Sequence, residues 1–112
     1  MIDEILTSAG FIKDKTYTET VFRNPPAVTF CVYSDEVETD GSDFDCELET
    51  HTIDIELYAL NKPDKAAEKR IKKALKKLGI HYTKFERIWL QSEKYYQTVY
   101  EFTYTEKEQE DE

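Results

Sequence analysis

The chain has 112 residues, 39% of them apolar and 35% charged, with a formal net charge of −9. That length holds one ordinary domain with one modest core. The charge argues against nonspecific attraction to nucleic-acid phosphates through the overall field, and no apolar run approaches the ~20 residues of a membrane-spanning helix.

In chain order, residues 2–9 place Ile2, Ile5, Leu6 and Ala9 on one helical face. Asp3 and Glu4 suit the positive end of that helix, and Gly10 suits its stop. Residues 11–23 alternate only in part and read as an extended segment without a clear partner, broken by Asn24-Pro25-Pro26. Two long strands are then predicted, Ala27 to Glu38 and Asp45 to Leu60, around the turn signal TDGSDF. A hairpin folded about Gly41-Ser42 sets Val28 against Ile55, Phe30 against Ile53 and Val32 against His51, with their apolar faces together. It also sets Glu36 against Glu47 and Glu38 against Asp45, like charges that destabilise the outer half of the ribbon. Cys31 and Cys46 do not meet in this register, which suits a reduced chain.

Residues 62–79 predict the clearest helix, with Pro63 in its first turn, an apolar stripe of Ala67, Ile71, Ala74, Leu75 and Leu78, and Gly79 at its end. Eight Lys and Arg against two acids give this element +6, which leaves −15 on the remainder. Residues 80–91 and 94–105 predict two further strands about Ser92-Glu93. In the last, Tyr96, Thr98, Tyr100, Phe102 and Tyr104 share a face. Residues 106–112 read as a frayed acidic tail on a single domain of residues 1–105. The expected architecture is α+β, in the order α-β-β-β-α-β-β, with two helices on a largely antiparallel sheet and a long protruding acidic hairpin.

The stretch DEVETDGSDFDCELE, residues 35–49, carries eight carboxylates and no base. It lacks the ligand order of an EF-hand loop, so it reads as a solvated acidic hairpin and not as a metal site. His51 reads as a structural histidine at the margin of the core, and Cys31 as a thiol inside a strand. Neither belongs to a catalytic spacing, and no Gly-rich phosphate loop is present. No enzymatic activity and no cofactor are expected. The lysines of residues 62–79 lack the interleaved aromatics of a nucleic-acid surface, so no specific nucleic-acid binding is expected either. The charge division points to contact between copies. Asp35, Glu36, Glu38, Asp43, Asp45 and Glu47 of one would meet Lys69, Arg70, Lys72, Lys73, Lys76 and Lys77 of the next. Such a contact is heterologous and generates a ring or a filament.

The segments MIDEILTSAGF, HTIDIELYALNKPDKAAEKRIKKAL and WLQSEKYYQTVYEF, in that order, resemble small tail-terminator (tail-completion) proteins of long-tailed phages and prophages of Gram-positive bacteria. The resemblance spans Met1 to about Phe102. It implies a non-enzymatic α+β subunit that forms a hexameric ring, caps the tail-tube protein and meets the head connector protein. It further implies a place in the host cytoplasm during assembly and then in the virion tail, without a membrane partner. Other head–tail joining and minor tail proteins share this size and fold. From a different class, an acidic inhibitor that mimics DNA would also need a carboxylate-rich face, although the basic helix gives such a mimic nothing.

Overall fold

A computed structural model describes residues 1–40 and 46–109. Two helices lie on one face of a six-stranded mixed, mostly antiparallel sheet. The elements are α1 (Ile2–Ser8), β1 (Tyr17–Glu19), β2 (Phe30–Asp40), β3 (Cys46–Leu60), α2 (Lys65–Lys77), β4 (Thr83–Lys84), β5 (Ile88–Leu90) and β6 (Tyr95–Gln109). The α+β class is as the sequence predicts. The sheet order is β1-β2-β3-β6-β4, with β5 also on β6. The segment expected to lack a clear partner supplies β1, which pairs in parallel with β2 through Tyr17 and Cys31.

Central β3 alternates strictly. His51, Ile53, Ile55, Leu57 and Ala59 are buried, and the residues between them are half-buried. Ile5 and Leu6 of α1, and Ala67, Ile71, Ala74 and Leu75 of α2, complete this core with Cys31, Tyr100 and Phe102. Helix α2 begins where Asp64 accepts from the Ala67 amide at 3.0 Å, so Pro63 lies just before the cap and not in the first turn. Burying Ile71, Leu75 and their kind is worth ~1.5–3 kcal/mol per side chain, which is what holds a helix so crowded with lysine.

The β2–β3 register differs from the expected one. Tyr33 pairs with Ile55, Asp35 with Ile53 and Val37 with His51. The parity is opposite, so Cys31 faces the helices while Phe30 turns to the other face. There Phe30 is buried among Phe22, Tyr58 and Tyr95, with ring centroids 5.2–5.5 Å apart. Val28 lies outside the strand and is exposed. Apolar residues occur on both parities of β2, so either register buries some of them. The observed one buries both sets, because residues 20–30 cover the second face.

The new register also relocates the charge conflict. Glu36 and Glu38 pair with Thr52 and Thr50. The like-charge pairs fall instead between β3 and β6, at Glu47 with Glu108, Glu49 with Glu106 and Asp54 with Glu101. The supposed tail is strand through Gln109, so the acidic projection has three strands where a hairpin was expected. From the Ile53 row, the last of the core, to the Leu48 row it extends about 17 Å, at ~3.4 Å per residue. Cys46 is eleven residues along β3 from Leu57, the partner of Cys31. The two cysteines therefore lie far beyond disulfide reach, as expected, and Cys31 is a buried thiol.

The single strand expected over residues 80–91 is two short ones. Lys84 pairs with Tyr100 and Ile88 with Gln97. Three residues therefore oppose two, a bulge in the edge strand. Arg87 leaves from this bulge toward α2.

Candidate functional site

The candidate residues form two surfaces. The basic one is the outer side of α2, where Lys69, Lys72, Lys73, Lys76 and Lys77 are exposed. Arg70 is committed within the chain. Its Nε donates to the Ala9 carbonyl at 2.8 Å, and its guanidinium lies 5.8 Å from the Phe11 ring centroid. It closes the end of α1, next to Gly10, whose φ of +94° suits glycine.

Lys65, Lys69 and Lys72 of α2 line a cleft of about 240 Å³ with Lys84, Arg87 and Tyr100 around the buried Glu68. Arg87 donates to Glu68 from Nε at 2.7 Å and from Nη2 at 3.1 Å, and Lys84 from Nζ at 3.3 Å. The Arg87 hydrogen bond holds the Glu68 carboxyl below its ordinary range against the opposing effect of burial. One internal carboxylate thus fixes two of the cations, while the α2 lysines stay exposed to solvent. The sequence signal for this cluster was weak, because Glu68 and Arg87 look like ordinary surface charges.

The acidic surface is the projection. Glu36 and Glu38 are exposed on β2. Glu47 lies on β3 opposite Glu108. Asp43 and Asp45 lie outside the described residues. Asp35 is engaged at the base, where both of its oxygens lie within 3.0 Å of His51 Nδ1. His51 is buried and stacks on Tyr104 at 4.6 Å with the rings 2° from parallel. Its place at the core margin is as expected, but its carboxylate partners were not foreseen. The hydrogen bond to Asp35 raises its affinity for a proton, partly offset by burial.

The acidic and basic surfaces belong to different elements, the strand ends and α2. The helices cover the sheet through the Ile53–Phe102 row, beyond which the strands continue without a helix above them. On the opposite face, Phe22, Pro25, Phe30, Tyr58 and Tyr95 line a mainly apolar groove of about 380 Å³. No helix among the described residues is long and apolar enough to cross a membrane.

Comparison with known proteins finds no matching family model and no curated protein of similar sequence.

Proposed function

We propose that this chain is a structural subunit of a long-tailed phage, of the tail-terminator kind, which assembles by docking the acidic projection of one copy on the basic helix of the next. One observation carries the assembly step. A three-stranded acidic projection stands about 17 Å beyond the helix-covered rows, while one exposed helix carries the concentrated positive charge. Unlike surfaces joined head to tail close into a ring when the rotation allows. Charge complementarity steers that docking and fixes its register. The terminator role, with the tail-tube protein and the head connector protein as partners, rests on the resemblance of the three sequence segments. An α+β subunit of this size is compatible with it.

Light scattering over a concentration series at low and high salt tests the assembly step. A ring that forms at low salt and dissociates at high salt is expected. Lys72→Glu with Lys73→Glu should abolish it, and Glu36→Lys with Glu38→Lys on a second copy should restore mixed assembly. Capture by immobilised tail-tube protein tests the role. A chain that stays monomeric in all conditions and ignores the tail-tube protein overturns the proposal. Selective capture of a DNA-binding enzyme would point instead to the acidic-mimic reading.

A further inference from the structure

Where the core ends, three lone-pair-bearing side chains converge. His51 Nε2 lies 3.5 Å from Glu49 Oε1 and 3.9 Å from Glu106 Oε2. One ligating atom from each residue falls within 4.8 Å of the other two. His51 is 8% exposed, and its Nε2 is a buried atom without a hydrogen-bond partner among the described residues. The other ring nitrogen determines which atom carries hydrogen. Asp35 accepts at Nδ1, at 2.9 and 3.0 Å, so Nδ1 donates and the Nε2 of a neutral ring points its lone pair at the two glutamates. Stacking on Tyr104 fixes the ring plane.

We propose that Glu49, His51 and Glu106 bind a divalent first-row transition ion of the Zn²⁺ type, with Asp35 as the positioning residue for the imidazole. A proton on Nε2 would be expected to draw one carboxylate into a short charge-assisted hydrogen bond of about 2.8 Å. Nε2 instead stands back from both. Tetrahedral Zn²⁺ with bonds of ~2.0–2.1 Å separates its ligand atoms by about 3.3 Å. Small side-chain movements reach that spacing, and Glu106, at 58% side-chain exposure, has room to make them.

One imidazole nitrogen with two carboxylates selects Zn²⁺ and its neighbours over Ca²⁺ or Mg²⁺, which take oxygen ligands. A carboxylate behind the ligating histidine is the usual support of such sites. The ion would neutralise Glu49 and Glu106, which oppose each other across β3 and β6. It would pin the base of the projection where apolar packing stops. This inference stands apart from the phage-tail reading, and neither depends on the other.

The test is calorimetric titration of Zn²⁺ into the full chain carrying Cys46→Ser, at pH 7.5 with excess Ca²⁺ present. The substitution removes a competing thiol. One ion per chain is expected. Glu106→Gln and His51→Gln should each weaken binding at least about tenfold, and Asp35→Asn about 10–100-fold. Glu86→Gln, on a remote exposed carboxylate, should change nothing. Co²⁺ should give the visible bands of a four-coordinate site, lost in His51→Gln. Circular dichroism establishes that each variant is folded, and Glu106→Gln replaces a side chain too exposed to endanger the core. Unchanged affinity in Glu106→Gln overturns the proposal. So does a His51 Nε2 found protonated by NMR in excess Zn²⁺.

Discussion

Arg87 and Glu68 are joined by two hydrogen bonds, at 2.7 and 3.1 Å, from a bulge in the edge strand to the buried side of α2. The pair ties the β4–β5 edge to the helix, and the Thr98 hydroxyl on β6 also donates to Glu68, at 3.4 Å. Arg87→Ala leaves Glu68, in a nearly buried place, with Lys84 as its one cation among the described residues and with the Thr98 hydroxyl. Full removal of a partner from a buried pair costs ~3–5 kcal/mol. Arg87 is 29% exposed, so solvent reduces this to about 2 kcal/mol. Urea denaturation should show it, and Glu68→Gln with Arg87→Met should recover part of the loss.

Asp54 gives a pH signature. It faces Glu101 across β3 and β6, and one of its oxygens is buried without a hydrogen-bond partner among the described residues. Burial, then the Glu101 carboxyl, push its pKa up to about 6. The folded state therefore binds a proton more tightly than the unfolded chain. The contribution of this group to stability is greatest below its unfolded pKa and is lost as pH rises from about 4 through 6. Asp54→Asn should raise stability at pH 7 by about 1 kcal/mol, after discounting for solvent access. At pH 4 the difference should nearly vanish. Melting temperatures of both proteins across that range check the sign.

Asp64 has the opposite sign. It caps α2 through Ala67 and accepts from the Thr29 hydroxyl at 2.7 Å. The Thr29 hydrogen bond, then the Ala67 amide, lower its pKa. Its contribution is present above the unfolded value and is lost as pH falls through the folded one. Asp64→Ala should cost about 1–2 kcal/mol, and Asp64→Asn much less near neutral pH. Chemical denaturation of the two variants separates capping from charge.

Leu75 is fully buried between α2 and the sheet. Leu75→Ala should cost ~2–5 kcal/mol. The exposed Lys73→Ala, two residues away on the other side of the helix, should stay within about 0.5 kcal/mol in stability. If Lys73 belongs to the assembly surface, Lys73→Glu should act on sedimentation mass and leave the monomer melt unchanged.

Much of this protein was legible in the sequence. The apolar stripe of α2 from Ala67 to Leu75, its stop at Gly79, the Tyr96-to-Tyr104 face of β6 and the division of charge all follow from local periodicity and composition, while Leu78, expected on that stripe, is the exposed cap. These features depend on residues within one or two turns or along one strand. The register of β2 on β3 does not. Apolar side chains occupy both parities of β2, and the choice fell to Phe22, Tyr58 and Tyr95, which bury Phe30 on the second face. Pairing of β6 along the whole of β3 turned a supposed tail into strand and moved the like-charge pairs to a new seam. The convergence of Asp35, Glu49 and Glu106 on His51 likewise joins three strands. Side chains so far apart in the chain meet only through the hydrogen-bond ladders between strands, and the sequence does not state the offset of those ladders.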